Sequence, residues 1–89
     1  MSWVFQLSDD AKASLSRLEA WLQEETLDEL DRLANDPTLI RVAAASPDGV
    51  FDFIRDSQGG RHYVFLTIEP LPDSKTLKVL ALGHVYRRH

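Results

Sequence analysis

The fold this sequence predicts is α+β, two-layered, and three observations predict it. A short alternating segment opens the chain, leucines at helical spacing follow, and the second half carries three alternating segments separated by short polar turns. Helices segregated in sequence from antiparallel strands pack as one layer on one face of the sheet. A chain of 89 residues holds one modest core, so residues 1–89 form a single domain.

Each element has its own warrant. Trp3-Val4-Phe5-Gln6-Leu7 puts Trp3, Phe5 and Leu7 on one side and Val4 and Gln6 on the other, which is a strand pattern. Ser8 is placed to cap a helix, and Asp9 and Asp10 put negative charge in its first turn, where the helix dipole favours it. Ala11, Leu15, Leu18 and Leu22 then share one helix face. Leu27, Leu30, Leu33 and Ala34 form a second stripe. The step from Leu22 to Leu27 rotates it by roughly 140°, at about 100° per residue. A helix hairpin joined near residues 23–26 buries both stripes on one sheet. The alternative is a single long curved helix, since no Gly or Pro marks the join. Asn35-Asp36-Pro37 stops the helical region, because proline disfavours α conformation in the residue before it.

Residues 38–45 read either as a short edge strand or as a connection whose Leu39, Ile40 and Val42 cover the end of the core. Ser46-Pro47-Asp48-Gly49 is a turn. Residues 50–55, 61–69 and 75–83 alternate as strands, joined by turns at 56–60 and 70–74. They make a three-stranded antiparallel meander. Either His62, Val64, Leu66 and Ile68 or Tyr63 and Phe65 face the helices.

Charge narrows the functional classes. The net charge is −4, with nine acids against four bases in residues 1–45 and six bases against five acids in residues 46–89. That balance argues against non-specific nucleic-acid binding, which needs many phosphate contacts. The chain beyond Ser74 has no acid, so a local basic end can meet a phosphate or an acidic partner. There is no cysteine, no apolar run near the ~20 residues of a membrane span, and no leader pattern in residues 1–6. A cytoplasmic protein with no membrane partner is expected. His62, His84 and His89 lack ligand spacing and the carboxylates lie mostly on the helices, so neither metal nor cofactor is expected. Gly59-Gly60 is a hairpin turn. Trp21, beside Leu22, either widens the apolar helix face or marks a partner surface.

The order of elements and several phrases resemble the RelE/ParE toxin superfamily of bacterial toxin–antitoxin pairs. The phrases are Phe5-Gln6-Leu7-Ser8 leading into Ala11 and Leu15-Ser16-Arg17-Leu18, then residues 27–33 with Asn35-Asp36-Pro37. After them come Phe53-Ile54-Arg55-Asp56, His62-Tyr63-Val64-Phe65, and residues 78–84 ending in Gly83-His84, with Tyr86-Arg87 behind. The resemblance implies a toxin held silent by a cognate antitoxin protein. In ribosome-dependent members it implies mRNA cleavage by attack of a ribose 2′-hydroxyl on the adjacent phosphate. That chemistry needs a base, a cation for the phosphorane and an acid for the leaving oxygen.

Carried onto this chain, Arg61, His84 and Tyr86 become the catalytic candidates, and Arg55, Tyr63, Arg87 and Arg88 the substrate-binding ones. Each has a plainer reading. His84 is either a general acid or base or a strand-end histidine bonded to a loop. Arg61 and Arg55 clamp a phosphate or pair with Asp52, Asp56 or Glu69. Tyr86 stacks or donates a proton, or packs its ring on the sheet; Arg87-Arg88-His89 is then a solvated tail. Three functions stay open: an endoribonuclease acting with ribosome and mRNA, a gyrase-class inhibitor acting by binding, and an inactive interaction domain.

Overall fold

The computed structural model describes residues 3–46 and 48–89. Met1, Ser2 and Pro47 lie outside the described residues, and with them the start of the expected leader-free segment and one position of the Ser46-Gly49 turn. The order is β1 (Val4–Leu7), α1 (Asp9–Ser16), α2 (Ala20–Ala34), α3 (Pro37–Ala44), β2 (Val50–Ser57), β3 (Gly60–Leu71) and β4 (Thr76–Arg88). The four strands form one sheet in the order β1-β4-β3-β2. β4 pairs antiparallel with β3, and β3 with β2, which is the expected meander. β1 lies parallel beside the start of β4.

The core lies between α2 and the sheet. Leu22, Leu30 and Leu33 of α2, Val64 and Leu66 of β3, and Leu77 and Val79 of β4 are fully buried. Each side chain of this kind contributes about 1.5–3 kcal/mol on leaving water. Of the two faces the β3 alternation offers, His62, Val64, Leu66 and Ile68 are the buried set.

The helix hairpin exists, but its join falls at residues 17–19 rather than near 23–26. The buried positions of α2 are Leu22, Thr26, Glu29, Leu30, Leu33 and Ala34, an unbroken helical period. Thr26, and not Leu27, carries the stripe. Its hydroxyl donates to the Leu22 carbonyl at 2.8 Å, so it can be buried without an orphaned polar group. The Gln23 amide reaches back to the Leu18 carbonyl at 2.8 Å and satisfies an acceptor that the end of α1 leaves free.

Residues 38–45 are neither strand nor connection. They lie in or directly after α3, where the Asp36 carboxylate accepts from the Thr38 and Leu39 amides and Pro37 takes the first helical position. Pro37 therefore ends one helix and opens the next. β4 also runs beyond Gly83: Arg87 pairs with Arg61 and Arg88 with Gly60, so Arg87 and Arg88 are strand residues and not a frayed tail.

Candidate active site

Pairing register decides which side chains meet. Arg55, His62 and Tyr86 stand in one row across β2, β3 and β4, and Phe53, Val64 and His84 in the next. Residues directly opposite share a face, so His62, His84 and Tyr86 point to the helix side. Asp56, Arg61 and Arg87 form a row on the other face, as do Ile54, Tyr63 and Val85. The sequence candidates thus divide. His84, Tyr86 and Arg55 share the helix side, and Arg88 falls there by strand alternation. Arg61, Tyr63 and Arg87 lie across the sheet from His84, so the expected grouping of Arg61 with His84 and Tyr86 does not form.

On the helix side the geometry is specific. His62 is buried, and its Nδ1 lies 2.8 Å from His84 Nε2. The two rings are within 9° of parallel. The Tyr86 ring sits 4.8 Å from His62, tilted at 41°. Trp21, from the first turn of α2, meets His62 edge-on at 5.1 Å and 82°. The Trp21 indole N–H donates to a Glu19 carboxylate oxygen at 2.7 Å. A depression of about 260 Å³ is lined by Glu19, Ser57, His62, His84 and Tyr86. A second of about 280 Å³, lined by Ser14, Arg17, Leu18, Leu82 and His84, shares His84 as its wall.

His84 is held below the ordinary imidazole value. Burial of its ring is the main cause, the neighbouring His62 adds to it, and Glu19 pulls the other way. Although the residue is exposed overall, its Nε2 edge lies against His62. A histidine of this kind is neutral near pH 7 and can accept a proton.

The arginines are engaged elsewhere. Arg55 donates to Glu29 at 2.6 Å and to Glu25 at 3.3 Å, both on α2, and its guanidinium lies 5.0 Å over the Phe53 ring. These carboxylates, Glu29 first, raise its pKa despite partial burial. Arg61 donates to Asp56 at 2.8 Å, and that bond holds the Asp56 carboxyl low. Tyr63, Phe65, Val85 and Arg87 line a depression of about 400 Å³ on the far face.

Three members of the helix-side group were not picked from sequence. His62 had one legible signal, as the only polar residue in a row of buried apolar ones. Arg17 and Glu19 had none, because their position depends on where the hairpin turns. Among the described residues no group of three or more His, Cys, Asp or Glu stands placed to hold a metal ion. No helix there is long and apolar enough to cross a membrane.

No protein-family model and no curated protein sequence matches the chain. Its architecture does match solved structures. The intact Escherichia coli RelBE toxin–antitoxin complex superposes with a TM-score of 0.64 at 16% identity, covering 97% of this chain and 100% of that one. The RelBE2 toxin–antitoxin complex of Mycobacterium tuberculosis gives 0.64 at 11% identity, covering 96% and 93%. The archaeal RelE–RelB complex of Pyrococcus horikoshii gives 0.59 at 15% identity, covering 93% and 94%. The fold is therefore the RelE fold over nearly the whole chain.

Proposed function

We propose that this chain is the toxin of a toxin–antitoxin pair and that it cleaves RNA, with mRNA on the ribosome as its substrate. The observation that carries the reading is the His62–His84 pair at 2.8 Å, walled by Tyr86 and open to solvent on the His84 side. His84 Nε2 is committed to His62, so Nδ1 is the nitrogen left for substrate. It takes the proton of a ribose 2′-hydroxyl, and the 2′-oxygen attacks the adjacent phosphorus. The new O2′–P bond forms as the P–O5′ bond breaks, leaving a 2′,3′-cyclic phosphate and a 5′-hydroxyl. The proton for O5′ comes from the Tyr86 hydroxyl or from the His84 imidazolium. Arg17, which lines the neighbouring depression walled by His84, is the candidate cation for the phosphorane. Arg61, Tyr63 and Arg87 take no part in this step, being on the far face. The RelE-fold structures solved as complexes with antitoxins support a cognate antitoxin as partner.

A second reading, inhibition by binding alone, is favoured by the uncovered apolar residues Ile54, Phe65 and Val85 on the far face. Induced expression in a bacterial host separates the two. Growth arrest with mRNA cleavage, both relieved by His84→Gln, is the expected result. Arrest without cleavage, unaffected by His84→Gln, would leave the binding inhibitor standing instead.

A further inference from the structure

The reaction above leaves Trp21 and Glu19 unused, yet both are built into the histidine cluster. Glu19 is the residue that opens α2, and its side chain makes no capping bond to the helix backbone. A residue there ordinarily accepts from an amide of the first turn. Its carboxylate accepts instead from the indole N–H of Trp21 at 2.7 Å. The indole is thereby held edge-on to His62 at 5.1 Å, and His62 is bonded in turn to His84. A continuous run of contacts passes from the start of α2 to the proton-accepting nitrogen.

We propose that Trp21 and Glu19 are positioning residues for the histidine pair. The indole, perpendicular to the His62 ring, fixes its plane, His62 Nδ1 fixes the ring of His84, and Glu19 locks the indole. The inference rests on His84 being the proton acceptor of the reading above. Its geometric content stands apart from that reading and is testable apart from it.

Other charges also face the pair, and the electrostatic consequence takes them into account. Glu19 approaches from the link between α1 and α2, and Arg17 borders His84 on its other side. Tyr86 comes from β4, with Arg88 two residues on. Arg55 of β2 stands opposite His62 but is matched by Glu25 and Glu29 of α2. Glu19 is thus the one carboxylate among the described residues lining the depression. Removing its charge lowers the His84 pKa further, since Glu19 is what opposes burial and His62.

The substitutions separate the two roles. Glu19→Gln keeps an oxygen for the indole N–H and removes the charge. Trp21→Phe keeps an aromatic edge on His62 and removes the N–H, and Trp21→Ala removes both. Histidine ring titration by NMR on the full chain reads the pair without needing activity, and a thermal melt of each variant establishes that it folds. Glu19→Gln is expected to lower the His84 midpoint and to move the acid limb of the pH–rate profile the same way. Trp21→Ala is expected to lower kcat roughly tenfold on ribosome-bound mRNA with KM unchanged, a fraction of what a general base supplies. It should also move the His84 midpoint, with Trp21→Phe intermediate. Folded Trp21→Ala and Trp21→Phe proteins with an unaltered His84 titration would overturn the proposal. If the titrations move as expected while the natural chain cleaves no RNA, the positioning role stands and the nuclease reading falls.

Discussion

His62 Nδ1 lies 2.8 Å from His84 Nε2, and the hydrogen between them belongs to one ring at a time. When His84 carries it, His84 Nδ1 is a free acceptor; when His62 carries it, His84 Nδ1 bears a proton and can donate. One bond therefore lets the outward nitrogen of His84 either accept or donate a hydrogen bond.

The depressed pKa of His84 predicts how stability responds to pH. The folded state binds that proton less readily than the unfolded chain, whose imidazole titrates near 6.5. The contribution is present above that value and is lost as pH falls through the folded pKa. Urea midpoints of the natural chain should drop on acidification below about pH 6.5, the unfolded value. His84→Gln should flatten that part of the profile; equal slopes for the two proteins would contradict it.

Arg55 and Glu29 make the second prediction. Glu29 is buried, and the guanidinium at 2.6 Å is its closest cation, with Arg32 at 3.7 Å. Arg55→Ala leaves a buried carboxylate facing a weaker partner. It should cost about 2–3 kcal/mol, somewhat under the figure for fully buried pairs because Arg55 is partly exposed. Replacing both Arg55 and Glu29 by methionine should recover most of the loss, as judged from chemical denaturation. An unaltered midpoint in Arg55→Ala would show that Glu25 and Glu29 are tolerated without it.

Lys75 holds a positive φ of 48° in the turn between β3 and β4. A left-handed residue with a Cβ is strained by roughly 1–2 kcal/mol, and glycine escapes that strain while losing more freedom on folding. Lys75→Gly should therefore raise stability by a net ~0.5–1 kcal/mol, read as a higher melting temperature. Its carbonyl accepts from the Val4 amide at 3.0 Å, so a drop instead would mean that the looser turn weakens the attachment of β1.

The fold was legible in the sequence wherever one residue type carried one signal. The strand alternation, the Asp-Pro stop and the leucine stripes each had a single physical meaning, and the meander and hairpin followed. Errors arose where a residue had two meanings. Thr26 is polar by composition but buried by virtue of its bond to Leu22, which displaced the hairpin join. Pro37 breaks α2 and starts α3, which hid a helix behind a stop signal. The site was less legible because it depends on register. His84 could be picked from a local phrase, whereas its contact with His62 needs β3 and β4 aligned to the residue. A shift of one residue would have put Tyr63 or Arg61 beside it instead.

Gly59 and Gly60 carry the last prediction, because the turn they form is where Tyr86 rests. A Cβ on Gly59 would meet only the Tyr86 hydroxyl, at 2.8 Å. A Cβ on Gly60 would run into the Arg87 backbone carbonyl as well as the Tyr86 ring. The first obstacle is the end of a side chain that can rotate; the second is the paired backbone of β4, which cannot move without breaking the ladder. Gly59→Ala should therefore leave thermal stability within about 0.5 kcal/mol, as for an ordinary surface change, while swinging Tyr86 away from His62. Gly60→Ala should destabilise by about 2 kcal/mol or more, through backbone strain that no rotamer relieves. If Tyr86 supplies a proton to the leaving oxygen, Gly59→Ala should lower RNA cleavage to the same degree as Tyr86→Phe in a protein of natural stability. Full activity in Gly59→Ala alongside a defective Tyr86→Phe would mean that the tyrosine finds its working position without the glycine seat.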